Sequence, residues 1–298
     1  MNGDHLAVVQ QAAAAGRLGP IAARMLLGSW LRALRGARGI TREEAGKVIR
    51  ASPSKIARME LGYHGFKERD VLELLGLYEV PEPDRATLFE LSRQANEPGW
   101  WRPFHDVVPD WFENYLGLEQ SAAVVRCYET RAVHDLLQTP DYARAELAGR
   151  FPEDSAETRD RRLELRLRRQ EILTRQDGPR VWIVLDESVV RRPAGGAALM
   201  RAQFDHILEL ADRRNITVQV LPFARGIHAA GGPPLSLLRP TVFGVLPDVV
   251  FLELMDDGRY PSRPAEVERH RLRLDRIGMR AAPPEELAAV LHRVLSEG

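Results

Sequence analysis

The chain has 298 residues, 44% hydrophobic and 28% charged, the make-up of an ordinary soluble globular protein with room for two cores. Its 42 Lys and Arg balance 42 Asp and Glu, so overall charge gives no reason to expect a nucleic-acid partner, and any such function has to be local. The single cysteine, Cys127, excludes an internal disulfide framework and a thiolate metal site and fits a reducing compartment.

In chain order, residues 1–20 are expected to be a disordered extension, because Gly16, Gly19 and Pro20 interrupt the only helix-forming run. With only Arg17 and Arg24 nearby, the extension is poorly suited to act as a minor-groove arm. A helix is predicted over 25–37, with Leu27, Leu31 and Leu34 at helical spacing and Gly39 beyond its end. Thr41 followed by Glu44 is a capping box, and Ala45, Val48 and Ile49 share one face of the helix it starts. Ser52 is a second N-cap with Pro53 at the first helical position, and Ile56 and Met59 form the inward stripe of a helix over 53–61. Gly62 suits the position just past that helix. Two helices this short cannot bury much alone and need neighbours. The pattern is a helix-turn-helix. A helix over 67–78 turns Val71, Leu72, Leu74 and Leu75 inward, Val80-Pro81-Glu82-Pro83 breaks the chain, and a helix over 84–94 carries Leu88, Phe89 and Leu91. The result is an all-α domain over 21–98.

Residues 28–78 contain ten basic and six acidic side chains, an excess of four positive charges. In a helix-turn-helix the N-terminal, outward residues of the second helix enter the major groove. Ser54, Lys55 and Arg58 point away from the Ile56/Met59 stripe and are the base-contact candidates, Arg58 foremost because its fork matches the two acceptors of guanine. Arg42, Lys47, Arg50 and Ser52 are the phosphate-contact candidates, which position without specifying sequence. A merely solvated basic face is the bland alternative.

Pro98-Gly99-Trp100-Trp101-Arg102-Pro103 marks a domain boundary, where paired Trp side chains serve more often as packing than as a ligand platform. Over 99–298 the elements mix. Helices are predicted at 108–118 and 140–149, a strand at 122–128, and a long charged helix at 158–175. Its arginines interleave with Glu164 and Glu171 and read as a solvated face rather than a second DNA contact. Strands at 181–185 and 217–221 flank a helix at 197–215, a βαβ-type unit. Strands at 235–238 and 249–254 and helices at 264–277 and 284–295 complete an α/β or α+β domain.

A search for chemistry finds no catalytic site. Gly195-Gly196 lacks a following Gly-Lys-Ser/Thr, and His105-Asp106 and His134-Asp135 lack zinc spacing. Asp186-Glu187 follows a strand, where α/β enzymes place carboxylates, but capping the next turn is the commoner use. Cys127 lies in an apolar run and reads as a buried, inert thiol. Gly226-Ile227-His228 with Gly231-Gly232-Pro233-Pro234 reads as a mobile loop that could cover a pocket. The expectation is a protein that is not an enzyme, with no metal and no cofactor. No apolar run reaches the ~18–20 residues of a bilayer span. Met1-Asn2-Gly3-Asp4-His5 has no basic n-region, so a cytoplasmic location is expected.

Residues 27–78 resemble the DNA-binding domain of Cro/repressor-type (Xre) regulators, through Leu31-Arg32-x-x-Arg35, Gly39-Ile40-Thr41 and Ser52-Pro53-Ser54-Lys55-Ile56-x-Arg58-Met59-Glu60-x-Gly62. From Gly99 onward the chain resembles the C-terminal domain of actinobacterial antitoxin-like regulators. The matching residues are Leu136-Leu137-Gln138-Thr139-Pro140-Asp141-Tyr142-Ala143-Arg144, Arg168-Arg169-Gln170-x-Ile172-Leu173 and Val218-Gln219-Val220-Leu221-Pro222-Phe223. The resemblance implies a lambda-repressor-like domain of five helices and an ion pair from Arg35 to Glu60 that bridges the first helix and the reading helix. It also implies a homodimeric transcriptional regulator on double-stranded DNA, whose C-terminal domain mediates dimerisation and binds an effector or a small protein encoded beside it. Three positions of the helix-turn-helix depart from the family. Arg42 stands where Gln is frequent, Arg50 where a turn Gly of positive φ is common, and Gly46 where a better helix former would save ~1 kcal/mol. His134-Asp135 replaces a frequent Pro-Gly. An alternative is a sensing or enzymatic C-terminal domain, with Asp186, Glu187, Glu253 and the 226–234 loop as its site, targeted to DNA by the helix-turn-helix. A pure protein-interaction role, with a degenerate helix-turn-helix, is a third reading.

Overall fold

The structure is a computed structural model that describes residues 18–62, 65–226, 232–242 and 245–297. The extension expected over 1–20 therefore lies almost wholly outside the described residues. The chain divides into two compact units.

Among the described residues the first unit carries the helices α1 (Pro20–Ala37), α2 (Arg42–Val48), α3 (Pro53–Glu60), α4 (Glu68–Leu77) and α5 (Glu82–Gln94). Helix α1 begins five residues before the predicted start at 25. Pro20 occupies its first turn, where a missing N–H costs nothing, and Ile21, Ala22 and Ala23 continue the buried stripe. Leu26, Leu27, Leu31, Ile56, Leu74 and Leu88 form the centre of a single core. Two residues expected to point inward do not: Val48 and Leu72 are exposed. On α4 the buried apolar positions are Val71, Leu74 and Leu75, and Leu72 lies about 100° off that stripe.

Two later segments complete this unit, Asn114–Ser121 and Pro240–Pro247. The first is the second half of α6 (Asp110–Gln120) with the residue after it. Ser121 Oγ accepts from Gly19 N at 2.9 Å, and Ser121 O accepts from Thr241 N at 2.9 Å and from the Thr241 hydroxyl at 2.8 Å. Val242 and Leu246 are buried in the same core as α1. Trp101 is buried, with Trp100 edge-on at 6.0 Å and a Cβ on Gly117 coming within 2.8 Å of its ring. The Trp pair packs, as the commoner reading has it.

The second unit comprises Pro103–Glu113, Ala122–Arg239 and Asp248–Gly298. Its sheet has six strands in the order β3-β2-β1-β4-β5-β6. Strands β1 (Ala122–Glu129), β2 (Arg180–Asp186) and β3 (Ile216–Leu221) are parallel, with Val125 opposite Val181 and Ile183 opposite Val218. Strands β4 (Leu235–Pro240), β5 (Val249–Glu253) and β6 (Gly258–Arg259) pair antiparallel. Parallel neighbours require long crossovers. Helices α7 (Pro140–Arg150) and α8 (Ala156–Gln170) lie between β1 and β2. Short α9 (Glu187–Arg191) and α10 (Ala197–Ala211) lie between β2 and β3, which makes the expected βαβ unit. Helix α11 (Pro264–Arg280) inserts Leu274 and Ile277 among Tyr128, Val184, Leu237 and Val250, and α12 (Leu287–Glu297) closes the chain. The C-terminal region is α+β. No described helix is long and apolar enough to cross a membrane.

Helix α8 corrects the reading of its arginines as a solvated face. Arg166 and Arg169 are buried. Arg166 Nη1 donates to Gln138 Oε1 at 2.6 Å and to Glu146 Oε2 at 2.7 Å, while Arg169 Nη1 donates to Asp135 Oδ2 at 2.9 Å. Gln170 Nε2 bridges the carbonyls of Asp135 and Gln138 at 2.7 and 2.9 Å. Buried charge of this kind persists only where every member is paired. Burial alone would raise the Asp135 carboxyl, but Arg166 and Arg169 outweigh it and hold it well below the usual carboxylate range. Beside it, His134 accepts from Leu136 N through Nδ1 at 3.2 Å, and burial, reinforced by Arg169, pushes its pKa down to about 3.

A neutral native histidine that would titrate near 6.5 when unfolded binds fewer protons folded than unfolded, so its contribution to stability is lost as pH falls through that interval. His134→Asn keeps a capping acceptor and removes the titration. In urea denaturation between pH 7 and 4, the stability of the native chain relative to this variant should decline by up to about 1.4 kcal/mol per pH unit below 6.5. A pH-independent difference would contradict this assignment.

Candidate nucleic-acid interface

Local chemistry fixes both helices of the motif. Thr41 Oγ1 accepts from Glu44 N at 3.2 Å and Glu44 Oε2 accepts from Thr41 N at 2.7 Å, the reciprocal box that starts α2. Ser52 Oγ accepts from Lys55 N at 3.2 Å and starts α3. Between them, Ala51 N donates to Gly46 O at 2.8 Å and folds the turn back onto α2. The two family departures in this turn belong together. A Cβ on Gly46 would sit 2.5 Å from Ala51 O, so a better helix former has no room there. Arg50 carries φ of 54°, the left-handed conformation that the family's turn Gly would adopt without strain.

The reading helix is held on its inner side by charge as well as by Ile56 and Met59. Glu60 has a buried side chain, only 2% exposed. Arg35 Nε donates to Glu60 Oε1 at 2.5 Å and Arg35 Nη2 to Oε2 at 3.2 Å, while Arg35 Nη1 reaches Ile40 O at 2.7 Å. The hydrogen bond to Glu60 raises the Arg35 pKa further, and burial together with the Glu60 charge pushes Tyr78 up to about 12. Arg42 Nε adds a second guanidinium to Glu60 Oε2 at 3.0 Å. At Gly28 the backbones of α1 and α3 come so close that a Cβ would meet Met59 O at 2.5 Å.

The predicted contact residues separate into two groups. Lys55 is half-buried, and its Nζ donates to Asp70 Oδ2 of α4 at 2.6 Å. Arg42 is tied to Glu60 yet keeps 43% of its side chain exposed. Lys47 lies 3.9 Å from Glu43 on the surface of α2. Ser52, Ser54, Arg50 and Arg58 are exposed, and among the described residues neither the Arg50 nor the Arg58 side chain has a hydrogen bond or ion pair. The face of α3 that carries Ser54 and Arg58 is thus an open donor surface, flanked by cationic side chains of α2 and the turn. Asp70, which sequence reading left unassigned, fixes Lys55 across two helices.

The carboxylates of the alternative site each have partners within the protein. Asp186 caps α9 by accepting from Ser188 N at 3.0 Å and also accepts from Tyr128 OH at 2.8 Å. Glu187 accepts from Arg191 Nε and Phe223 N, both at 2.6 Å. Glu253 is bound by Arg131 at 2.8 Å and Arg150 at 2.5 Å. Each carboxylate is engaged by a different set of partners. The loop proposed as a lid lies largely outside the described residues, at 227–231. Cys127 is buried, with its thiol 3.3 Å from Ser236 Oγ. Among the described residues no cluster of His, Cys, Asp and Glu could hold a metal ion.

The turn geometry is testable by opposite substitutions. Arg50→Gly should raise unfolding stability by about 1 kcal/mol by releasing the left-handed strain. Gly46→Ala should lower it by about 1–3 kcal/mol, because the methyl group meets a carbonyl oxygen. Urea midpoints at constant m-value measure both, and a stabilising Gly46→Ala would contradict the geometry.

Two family models match the chain. Residues 26–88 match the family described as "Helix-turn-helix domain", and residues 112–293 match the family described as "Domain of unknown function (DUF5753)". No curated protein and no solved structure matches the chain. Because the second match spans more than half of the chain, the protein belongs to the DUF5753 family, with a helix-turn-helix domain at its N-terminal end.

Proposed function

We propose that this protein is a sequence-specific, DNA-binding transcriptional regulator of the Cro/repressor (Xre) type that reads the major groove with α3. The observation that carries the reading is the contrast between the two sides of that helix. One side is locked by Glu60, Ile56 and Met59, and the other offers Arg58 and Ser54 with no competing side-chain partner among the described residues. Arg58 takes the base edge, with Ser54 beside it. Arg42, Lys47, Arg50 and the Ser52 hydroxyl take phosphates; Arg42 keeps Glu60 as its second partner, and Ser52 still has its hydroxyl proton to donate. Lys55 reaches DNA only by leaving Asp70.

The C-terminal domain serves dimerisation on a roughly two-fold operator and binds a partner or effector, in the manner of the antitoxin-like actinobacterial regulators that the sequence resembles. Its partner would be a small protein encoded beside it, and it would act in the cytoplasm. The protein is not an enzyme on this reading: Asp186, Glu187 and Glu253 are each committed to internal partners, which supports binding rather than catalysis.

Binding to DNA from upstream of the protein's own gene, followed by fluorescence anisotropy against a scrambled duplex, tests the assignment. Arg58→Ala should lose about 1–3 kcal/mol on the specific duplex and little on the scrambled one. Lys47→Ala should weaken both alike and reduce the salt slope by about one. Equal losses from Arg58→Ala on the two duplexes would remove its role in base reading.

A further inference from the structure

The excursion of the chain between β4 and β5 has an unusual construction. Its stem is the antiparallel pair in the second unit, where Leu238 faces Val249. The next residue on each side forms a two-point clasp: Arg239 Nε donates to Asp248 Oδ1 at 2.9 Å and Arg239 Nη2 to Oδ2 at 2.8 Å. Such a planar, bidentate pair fixes relative orientation as well as distance. Immediately inside the clasp stand Pro240 and Pro247, whose rings restrict the backbone at both points of entry. Beyond them the tip belongs to the DNA-binding unit: Thr241 is bonded to Ser121 O, and Val242 and Leu246 are buried in the core that contains α1, α3, α4 and α5. Within the tip, Val242 O accepts from Val245 N and Leu246 N at 3.1 and 3.2 Å, which holds the two apolar side chains on one turn. Cores are close-packed and transmit small shifts in the residues that fill them.

We propose that residues 240–242 and 245–247 form a built-in coupling element. A ligand or partner that changes the β4–β5 stem alters the order of the DNA-binding helices through Val242 and Leu246, and the Arg239–Asp248 clasp holds the two ends of the excursion together. The DNA-binding unit is therefore not autonomous, because part of its core is supplied from the far end of the chain. The consequence for regulation rests on the DNA-binding function proposed above; the coupling itself does not.

The test uses the full-length chain and two readouts, amide hydrogen exchange and affinity for the upstream duplex. Arg239→Ala, which lies in the second unit, should speed exchange in α1 and α5 by roughly tenfold or more while leaving β1–β3 near wild type. The same variant should weaken DNA binding by roughly fivefold or more. Val242→Ala combined with Leu246→Ala should reproduce the exchange pattern from the tip side. The swapped pair, Arg239→Asp with Asp248→Arg, should restore slow exchange in α1 and α5, which a general loss of stability would not do. Unchanged exchange in α1 and α5 for Arg239→Ala would overturn the proposal, as would an equal rise in β1–β3 or failure of the swapped pair to rescue. If the native chain binds no duplex, the DNA-binding reading fails and the exchange pattern alone judges the coupling.

Discussion

Glu60 is the residue on which the arrangement of the DNA-binding helices depends. A carboxylate removed almost completely from water is tolerated only if charged donors surround it. Arg35 from α1 and Arg42 from α2 supply them, and each brings its helix into a fixed relation with α3. The backbone approach at Gly28 allows α1 to come close enough for the Arg35 fork to engage both oxygens. A hydrophobic contact at the same place would hold the helices together without setting their rotation, whereas a forked ion pair does both. The outward direction of Arg58 follows from this constraint, since Arg58 lies two residues before Glu60 on a helix whose inner face is fixed.

That constraint explains why the N-terminal half is so legible in sequence. Its signals are local and carry their own chemistry: a Thr-x-x-Glu box, a Ser-Pro start, and apolar residues spaced for one face. The pair from Arg35 to Glu60 came only with the family resemblance, because periodicity does not link residues 25 apart. Partners across elements were out of reach in the same way. Nothing in the spacing of Lys55 and Asp70 announces their ion pair, and it turns a base-contact candidate into a residue with a competing internal bond. Gly46 was misread for a related reason. Helix propensity sees a poor helix former, but the turn that returns onto α2 leaves no space for a Cβ.

In the C-terminal half, strands β1 to β5 are legible as apolar runs, while their order in the sheet and the interior chemistry are not. The arginines of α8 interleave with glutamates as on a solvated helix, yet Arg166 and Arg169 close a buried network around Asp135 and Gln138. Of the residues that carry the resemblance, Gln138, Arg169 and Gln170 take part in this network. Chain order also hides the contribution of 240–247 to the first unit's core. Val242 and Leu246 are two ordinary apolar residues 140 or more positions beyond the last of the five helices. A boundary drawn from composition at 98–103 has no means of finding them.

The orientation of α3 by Glu60 is measured by the ratio of specific to scrambled-duplex affinity for Glu60→Gln in the 298-residue chain. Glutamine keeps the volume and one acceptor but removes the charge that orients the two guanidinium groups. The account predicts that specific affinity falls by roughly tenfold or more while scrambled binding and its salt slope stay near wild type, because phosphate contacts survive a misaligned reading helix. An unchanged ratio would contradict it: α3 would then be oriented by packing alone, and the Glu60 cluster would contribute only to stability.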